Sequence, residues 1–488
     1  MSRKLEQDFV GKTYDDFLFR PQHGVVASRR QVSLRSRLSR HIDIELPVLS
    51  ANMDSVTGTR MAKTLALEGG IGFLHRAMSI EAQAESVRQT KRSQGYVVEH
   101  PLSLPRDATI REAREFTQRH NITGILIEET RGNKILAGLL SNRDMPWNDD
   151  HLGHRVEQFM TPVEKLKTAH PGVSMEEAER IMFDHRIEKL PLIDEDRHIR
   201  GLITKKDIIL SRQRPYSSRD EKGRLLVGAA IGARGDFLER AAELVRAEVD
   251  VVLIDIAHGH TEIMRQAVES FRQQFGAVEL ICGNVGTTEG ARFLRDLGAD
   301  AIKVGIGPGR GCRTRLETAA GVPQVQALRE AWCAVEESVP IIADGGVRND
   351  KDIFLALVCG ASSVMLGSAL SGTDEAPGHV IENPATRQKS KIYRGMTSPQ
   401  AVFETLYDTD DSEAVEAALD VPAEGQEVQI PYQGSVVDIL QRVRGHLRSA
   451  VSYGGGNTLA EVRAQVVSDP LRFLISLSPA ARRESYER

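Results

Sequence analysis

The stretch LICGNVGTTEGARFLRDLGADAIKVGI, from Leu280 to Ile306, holds two apolar runs around one amphipathic segment. Leu280–Val285 and Ala301–Ile306 are short, apolar and run out into glycine or polar residues, as strands buried in a parallel sheet do. Between them, Thr288–Leu297 carries its apolar residues at helix spacing. Working outward, six further runs read the same way: Val48–Asn52, Gly70–His75, Leu225–Ile231, Val251–Ile256, Ile341–Gly345 and Ser363–Ser368. Lys351–Val358 repeats the amphipathic pattern between the last two. Alternating buried strand and amphipathic helix predicts an α/β protein with a parallel sheet, and eight such units predict a closed (β/α)8 barrel. An open doubly wound sheet is the alternative, but the glycine fingerprint that would favour it is missing.

The barrel pattern is interrupted. From His75 to Leu225 the gap far exceeds the roughly dozen residues one crossover needs, and it contains a duplication. Thr109, Ile110, Glu112, Ala113, His120, Ile122 and Ile127 precede Gly138-Leu139-Leu140-Ser141-Asn142-Arg143-Asp144. Ser174, Met175, Glu177, Ala178, His185, Ile187 and Leu192 precede Gly201-Leu202-Ile203-Thr204-Lys205-Lys206-Asp207. Two copies this alike predict a pseudo-symmetric pair inserted into a discontinuous barrel. The expected division is 1–94 for the first part of the barrel, 95–210 for the insert, and 211–488 for the rest of the barrel with a flap and a C-terminal segment. The polar stretches Lys91–Gly95 and Arg212–Lys222 are expected to be linkers.

Composition excludes several classes. Of 488 residues 41% are hydrophobic and 5% aromatic, which is ordinary for a globular protein. A formal charge of −5 leaves no basic stripe for a nucleic-acid partner. No apolar stretch approaches the roughly 20 residues of a membrane span, and the N-terminus lacks a signal core, so no membrane partner and a cytoplasmic location are expected. Cys282, Cys312, Cys333 and Cys359 match no zinc spacing and are expected to be free thiols.

Barrel enzymes work at the C-terminal ends of their strands. There the chain has Asp344-Gly345-Gly346 and Gly367-Ser368, loops whose exposed backbone N–H groups suit a phosphate. The sixth run leads into Gly305-Ile306-Gly307-Pro308-Gly309-Arg310-Gly311-Cys312-Arg313-Thr314-Arg315. A cysteine in a glycine-rich loop between arginines is a candidate nucleophile, because nearby positive charge favours the thiolate. Cys333 and Cys359 lie in helical patterns and read as packing.

These motifs resemble the IMP dehydrogenase/GMP reductase family over nearly the whole chain. The likeness rests on Thr13-Tyr14-Asp15-Asp16, Ser50-Ala51-Asn52-Met53-Asp54, Gly69-Gly70-Ile71-Gly72, Gly283-Asn284-Val285, the cysteine loop, Asp344-Gly345-Gly346, Tyr393-Arg394-Gly395-Met396 and Pro431-Tyr432-Gln433-Gly434. The resemblance implies a TIM barrel in which Cys312 attacks C2 of a purine 5′-monophosphate. Asp344 would hold the ribose, Gly346, Gly367 and Ser368 the phosphate, and Gly345 would bind the nucleotide with them. Tyr393, Arg394, Gly395, Met396, Thr397 and Glu424 would frame the base. Asp255 would meet the nicotinamide ribose, and Ile256, Ala257, Gly305, Ile306 and Gly307 would line the same cofactor pocket. Carbonyls of Gly307, Gly309 and Cys312 would hold a monovalent cation such as potassium. The insert resembles a tandem CBS (Bateman) module, in which Asp144 and Asp207 would accept bonds from the ribose of ATP or GTP; a purely structural insert stays open. A homotetramer, or an octamer paired through the inserts, is implied as well.

The chain departs from the family at Arg310-Gly311, where a serine and a hydrophobic residue usually stand, and at Arg313, usually a threonine. Arg310 either serves the phosphate with a full charge or turns away. Both family reactions share a thioimidate between cysteine and C2. A dehydrogenase then hydrolyses it with water activated by an arginine beside a flap tyrosine. A reductase forms it by expelling ammonia from GMP, with acid help from residues matching Thr314 and Glu424, and discharges it with hydride. The flap, residues 397–423, contains no Arg or Lys, and Tyr407 stands between Leu406 and Asp408. The expectation is therefore an NADPH-dependent GMP reductase with catalytic Cys312, Thr314 and Glu424. The open alternatives are NADH as reductant, an NAD-dependent IMP dehydrogenase acting on IMP, and an inactive nucleotide-binding regulator.

Overall fold

A computed structural model describes residues 5–93, 97–99, 101–120, 122–396, 398 and 424–486. They group into two compact units. The first comprises Met1–Lys91, Tyr216–Ser218 and Leu225–Arg488, the second Arg92–Pro215 and Arg219–Arg224.

The first unit is the barrel. Its strands are β1 (Val48–Ser50), β2 (Ile71–Leu74), β3 (Gly228–Ile231), β4 (Val251–Asp255), β5 (Glu279–Val285), β6 (Ala301–Val304), β7 (Ile341–Asp344) and β8 (Ser363–Leu366). They pair in parallel in chain order, and β8 closes on β1. Nearly every strand residue is buried, because one face fills the barrel interior and the other packs under helices. That double burial is why the strands read as continuous apolar runs. Seven of the eight fall within the runs expected from sequence, and β5 begins one residue early.

The helices follow local rules. In Thr288–Asp296 the Thr287 hydroxyl accepts from the Gly290 N–H at 3.2 Å, capping a helix that buries Ala291 and Leu294. The first residue of one stretch expected to be linker is helix instead. Lys91 ends the helix Ile80–Lys91, and its ammonium, 4% exposed, lies 2.7 Å from Asp250 of the barrel. A buried ion pair, not a mobile joint, sits there. Arg212 likewise belongs to a helix, Lys205–Gln213.

In the second unit one half holds Ser103–Pro105, Gly124–Glu128, Leu136–Ser141 and Thr161–Pro162 in one sheet, with the helix Ile110–His120. The other half pairs Lys189–Ile193 with Ile199–Thr204 beside the helix Met175–Asp184. Each half therefore repeats helix, strand, strand. No helix among the described residues is long and apolar enough to cross a membrane.

Candidate active site

The loops that follow β4, β6, β7 and β8 line one cavity of about 1280 Å3. Asp255, Ile256 and Ala257 reach it from β4, Gly305 through Gly307 and Gly309 through Cys312 from β6, Asp344 through Gly346 from β7, and Gly367 and Ser368 from β8. Tyr393, Gly395, Met396, Thr314 and Glu424 complete the expected set. Arg394 is not in the lining: its Nε donates to Asp54 at 2.7 Å, so its side chain is spent on the loop after β1. Thr397 and the rest of the flap through residue 423, apart from Ser398, lie outside the described residues. Gly305 has φ 151°, and a Cβ there would sit 2.0 Å from the Asp344 carbonyl oxygen, so only glycine lets β6 and β7 approach this closely.

A buried lysine organises the electrostatics. Lys303, on β6 and 2% exposed, lies 2.5 Å from Asp344 Oδ2 and 3.0 Å from Asp255 Oδ1. Burial alone would lower its pKa; the two carboxylates outweigh that and hold it above the ordinary lysine value. Asn52 donates to Asp255 Oδ2 at 2.7 Å, and Asn284 donates to Asp344 Oδ2 at 2.9 Å. The side-chain amide oxygen of Asn284, Oδ1, is buried with no partner among the described residues, and so is Oε1 of Gln324, which also lines the cavity. Such orphaned acceptors suit a ligand's hydroxyl or N–H donors. Lys303, Asn52, Asn284 and Gln324 were not expected as site residues. For Lys303 the signal was present: a lysine inside a strand run is almost never buried without a paired acid.

The cysteine loop carries a hydrogen-bond chain. The Cys312 thiol donates to Thr314 Oγ1 at 3.2 Å, and the Thr314 hydroxyl donates to Glu424 Oε2 at 2.6 Å. The segment following the flap clips the loop in place. Arg313 N–H donates to the Glu424 carbonyl at 2.7 Å, Gln426 N–H to the Gly311 carbonyl at 3.0 Å, and Gln426 Nε2 to the Arg310 carbonyl at 2.9 Å. Gly311 permits this approach, since a Cβ there would lie 3.0 Å from Gly395 N and 3.1 Å from the Tyr393 ring.

The arginines around Cys312 are not arranged as expected. Arg313 turns to Glu317, 2.6 Å away. Arg315 donates to the Ile306 carbonyl at 3.0 Å and to that of Val322. Burial lowers the Arg315 pKa, and the nearby Cys312 sulfur opposes that shift. Arg310 lines the cavity, and its guanidinium makes no hydrogen bond or ion pair among the described residues. The other cysteines are packing: burial pushes the Cys282 and Cys359 thiols up to about 12, and Cys333 is 2% exposed.

Outside the barrel, Asp144 and Asp207 are placed alike. Asp144 Oδ2 accepts from the Ser141 hydroxyl at 2.6 Å, and Asp207 Oδ2 from the Thr204 hydroxyl at 2.5 Å. In each copy the carboxylate binds the hydroxyl three residues earlier.

Comparison with known proteins agrees with this geometry. The IMP dehydrogenase / GMP reductase domain model matches residues 11–487. The chain is 43% identical over 455 residues to an inosine-5′-monophosphate dehydrogenase of Nitrosopumilus maritimus, covering 93% of this chain and 94% of that one. A relative of the same name from Aquifex aeolicus is 41% identical, with coverage of 93% and 91%. Among solved structures, a variant GMP reductase from Trypanosoma brucei in complex with guanosine 5′-monophosphate superposes with a TM-score of 0.83 at 36% identity, covering 98% of this chain and 97% of that one. GMP reductase from the same organism in complex with guanosine 5′-triphosphate gives 0.73 at 33% identity, with coverage of 96% and 98%. A barrel whose strand ends gather a cysteine, a ribose-suited aspartate and glycine loops thus belongs, over nearly its whole length, to the IMP dehydrogenase/GMP reductase family of oxidoreductases.

Proposed function

We propose that this family member is a GMP reductase, which converts GMP to IMP and ammonia with NADPH as reductant. The observation that carries the reading is the chain from Cys312 through Thr314 to Glu424, together with a sequence from 397 to 423 that contains no Arg or Lys. The Cys312 sulfur adds to C2 of guanine, and the C2 amine departs. An amine leaves far more readily as ammonia than as an amide anion, so it needs a proton, which Glu424 passes through the Thr314 hydroxyl. The product of that step is a thioimidate between Cys312 and C2. A nicotinamide held at Asp255 would supply the hydride to C2, and Cys312 would then leave with the C–S electron pair. GMP, NADPH and two protons thereby give IMP, NADP+ and ammonium.

The remaining groups have roles suited to this reaction. Asp344 would take the substrate ribose, Gly345, Gly346, Gly367 and Ser368 its phosphate, with Arg310 as an added cation, and Tyr393, Gly395 and Met396 the base. Asp255, whose carboxylate is oriented by Asn52 and Lys303, fits a nicotinamide ribose with hydroxyl donors. A potassium-like cation would bind at the Gly307, Gly309 and Cys312 carbonyls; that of Gly309 already accepts from Cys312 N–H at 3.0 Å and keeps a second lone pair. In the insert, a resemblance to a tandem CBS module supports ATP or GTP binding near Asp144 and Asp207, and the family supports a homotetramer or octamer.

The second reading, an IMP dehydrogenase, is favoured by the names of the sequence relatives. It requires a base that activates water; Arg313 is engaged by Glu317 and Arg315 by carbonyls, which leaves Arg310 as the arginine beside the cysteine that would have to serve. The deciding experiment follows cofactor absorbance with GMP plus NADPH or NADH, and with IMP plus NAD+, and identifies the purine product. GMP reduction with almost no XMP from IMP is expected. XMP formation faster than GMP reduction would make the protein a dehydrogenase.

A further inference from the structure

On the barrel unit, away from the cavity already described, a pocket of about 250 Å3 is lined by the segment 30–34, Glu45, Tyr216, Arg444 and Arg448. Arg444 and Arg448 stand one turn apart on the helix Val436–Tyr453, so both point to the same face. Like charges at this spacing oppose helix formation. Both guanidiniums nevertheless lie over the ring of Tyr216, at 4.8 Å and 5.3 Å from its centre. Burial lowers the Arg444 pKa and the neighbouring Arg448 charge lowers it further, against Glu68, which lies 3.8 Å away.

The opposing acids do not balance this cluster. Glu68 is committed to Arg444, and Glu45 lies 3.8 Å from Arg35, which also holds Asp43 at 2.9 Å. Arg30 and Arg448 have no carboxylate oxygen within 4.0 Å among the described residues. Arg448 Nε is buried and has no acceptor among the described residues. Buried polar groups are nearly always satisfied, so a donor of this kind marks a missing partner.

We propose that this pocket is a second anion site, in which Arg30, Arg444 and Arg448 bind an oxyanion of the phosphate class. A guanidinium's fork of N–H donors matches phosphate oxygens. The volume fits the anion alone, being below the about 300–1,000 Å3 of sites that enclose a drug-sized ligand. An anion bound here would order Tyr216, which lies in the short segment Tyr216–Ser218, flanked on both sides by residues of the inserted unit.

The test is arginine footprinting of the full-length protein with phenylglyoxal, read by mass spectrometry. Inorganic phosphate is compared with chloride of equal ionic strength, and AMP serves as an esterified source of the same anion. With phosphate at about ten times its dissociation constant, modification of Arg30 and Arg448 falls about tenfold, whereas exposed Arg387 is unaffected. Protection by phosphate alone identifies the free anion, and equal protection by AMP shows that an esterified phosphoryl group also enters. Arg448→Gln abolishes protection at Arg30, and Arg448→Lys restores part of it. Unchanged modification with both anions overturns the proposal. So does equal protection at Arg387, or full protection at Arg30 in Arg448→Gln.

Discussion

Two sets of aspartates, one at the barrel mouth and one in the insert, are held in opposite ways. Asp255 and Asp344 come from strands β4 and β7, far apart in the chain, and share one buried ammonium that a third strand contributes. Asp144 and Asp207 are each held by a hydroxyl three residues earlier in their own segment. At the mouth, orientation is fixed by tertiary contacts, which preorganise the site and make every member depend on the others. In the insert, orientation is local, and each copy stands or falls by itself. Perturbations at the mouth should therefore spread, and those in the insert should stay small.

The largest effect is expected at Cys312. Cys312→Ala removes the atom that forms the covalent bond, and turnover should vanish while GMP still binds, because the ribose and phosphate contacts lie on other loops. Single-turnover assay and equilibrium binding of GMP check the two halves. Residual activity above about one-hundredth of the parent would remove Cys312 from the nucleophile's role, since acid–base help alone reaches that factor.

Next comes the buried cation. Lys303→Met leaves Asp255 and Asp344 facing one another without their shared partner, and removing one member of a buried ion pair costs about 3–5 kcal/mol. Chemical denaturation should show that loss, and activity should fall with it. Lys303→Met combined with Asp255→Asn should recover part of the stability, because the repulsion is then relieved. If the double variant is no better than the single one, the aspartates are not coupled through Lys303.

A third test uses pH. His75, just after β2, is 7% exposed, and burial lowers its pKa to about 4, with Asp54 opposing the shift. A depressed base is neutral in the folded protein and protonated once unfolded. Its contribution is thus fully present above about pH 6.5 and is lost as pH falls toward 4, by about 3 kcal/mol in all. Urea denaturation of the parent and of His75→Gln across that window measures it. The variant should show a shallower acid limb, and an unchanged limb would assign the acid sensitivity to other groups.

The same contrast governs what could be read in the sequence. The eight strands were legible because burial on both faces writes each of them as a continuous apolar run. Cys312, Asp344 and the glycine loops were legible because their chemistry sits at strand ends. Lys303 carried a local signal, a charge inside one of those runs, but its pairing with Asp255 and Asp344 was not legible, because it is set by barrel closure rather than spacing. Lys91 was misread as linker for the same reason: its polarity is visible locally, whereas Asp250 approaches only in the fold. Arg310 and Arg313 flank the thiol in sequence and looked like its positive setting, but Glu317, which draws Arg313 to itself, is met only along the loop's path.

The smallest effects belong to the insert, and they separate its two copies. Asp207 stands in the first turn of the helix Lys205–Gln213, where its N–H donates to Thr204 Oγ1 at 3.3 Å and its carboxylate takes the Thr204 hydroxyl. Asp144 stands in a turn with no helix after it, and its carboxylate takes both the N–H and the hydroxyl of Ser141. Asp207→Ala should therefore cost about 1 kcal/mol through lost helix-end support, while Asp144→Ala removes two bonds to an exposed turn and costs about as much or less. Neither should change GMP turnover measured without other nucleotides, because neither residue lines the barrel cavity. If the carboxylates also hold a nucleotide ribose, each substitution removes charge-assisted hydrogen bonds worth about 1.5–3 kcal/mol, which weakens ATP or GTP binding roughly tenfold or more. Calorimetric titration of both variants distinguishes the outcomes. Equal weakening in both marks two like sites, weakening in one marks a single site in a diverged pair, and unchanged affinity in both leaves Asp144 and Asp207 as supports for their own turns and nothing more.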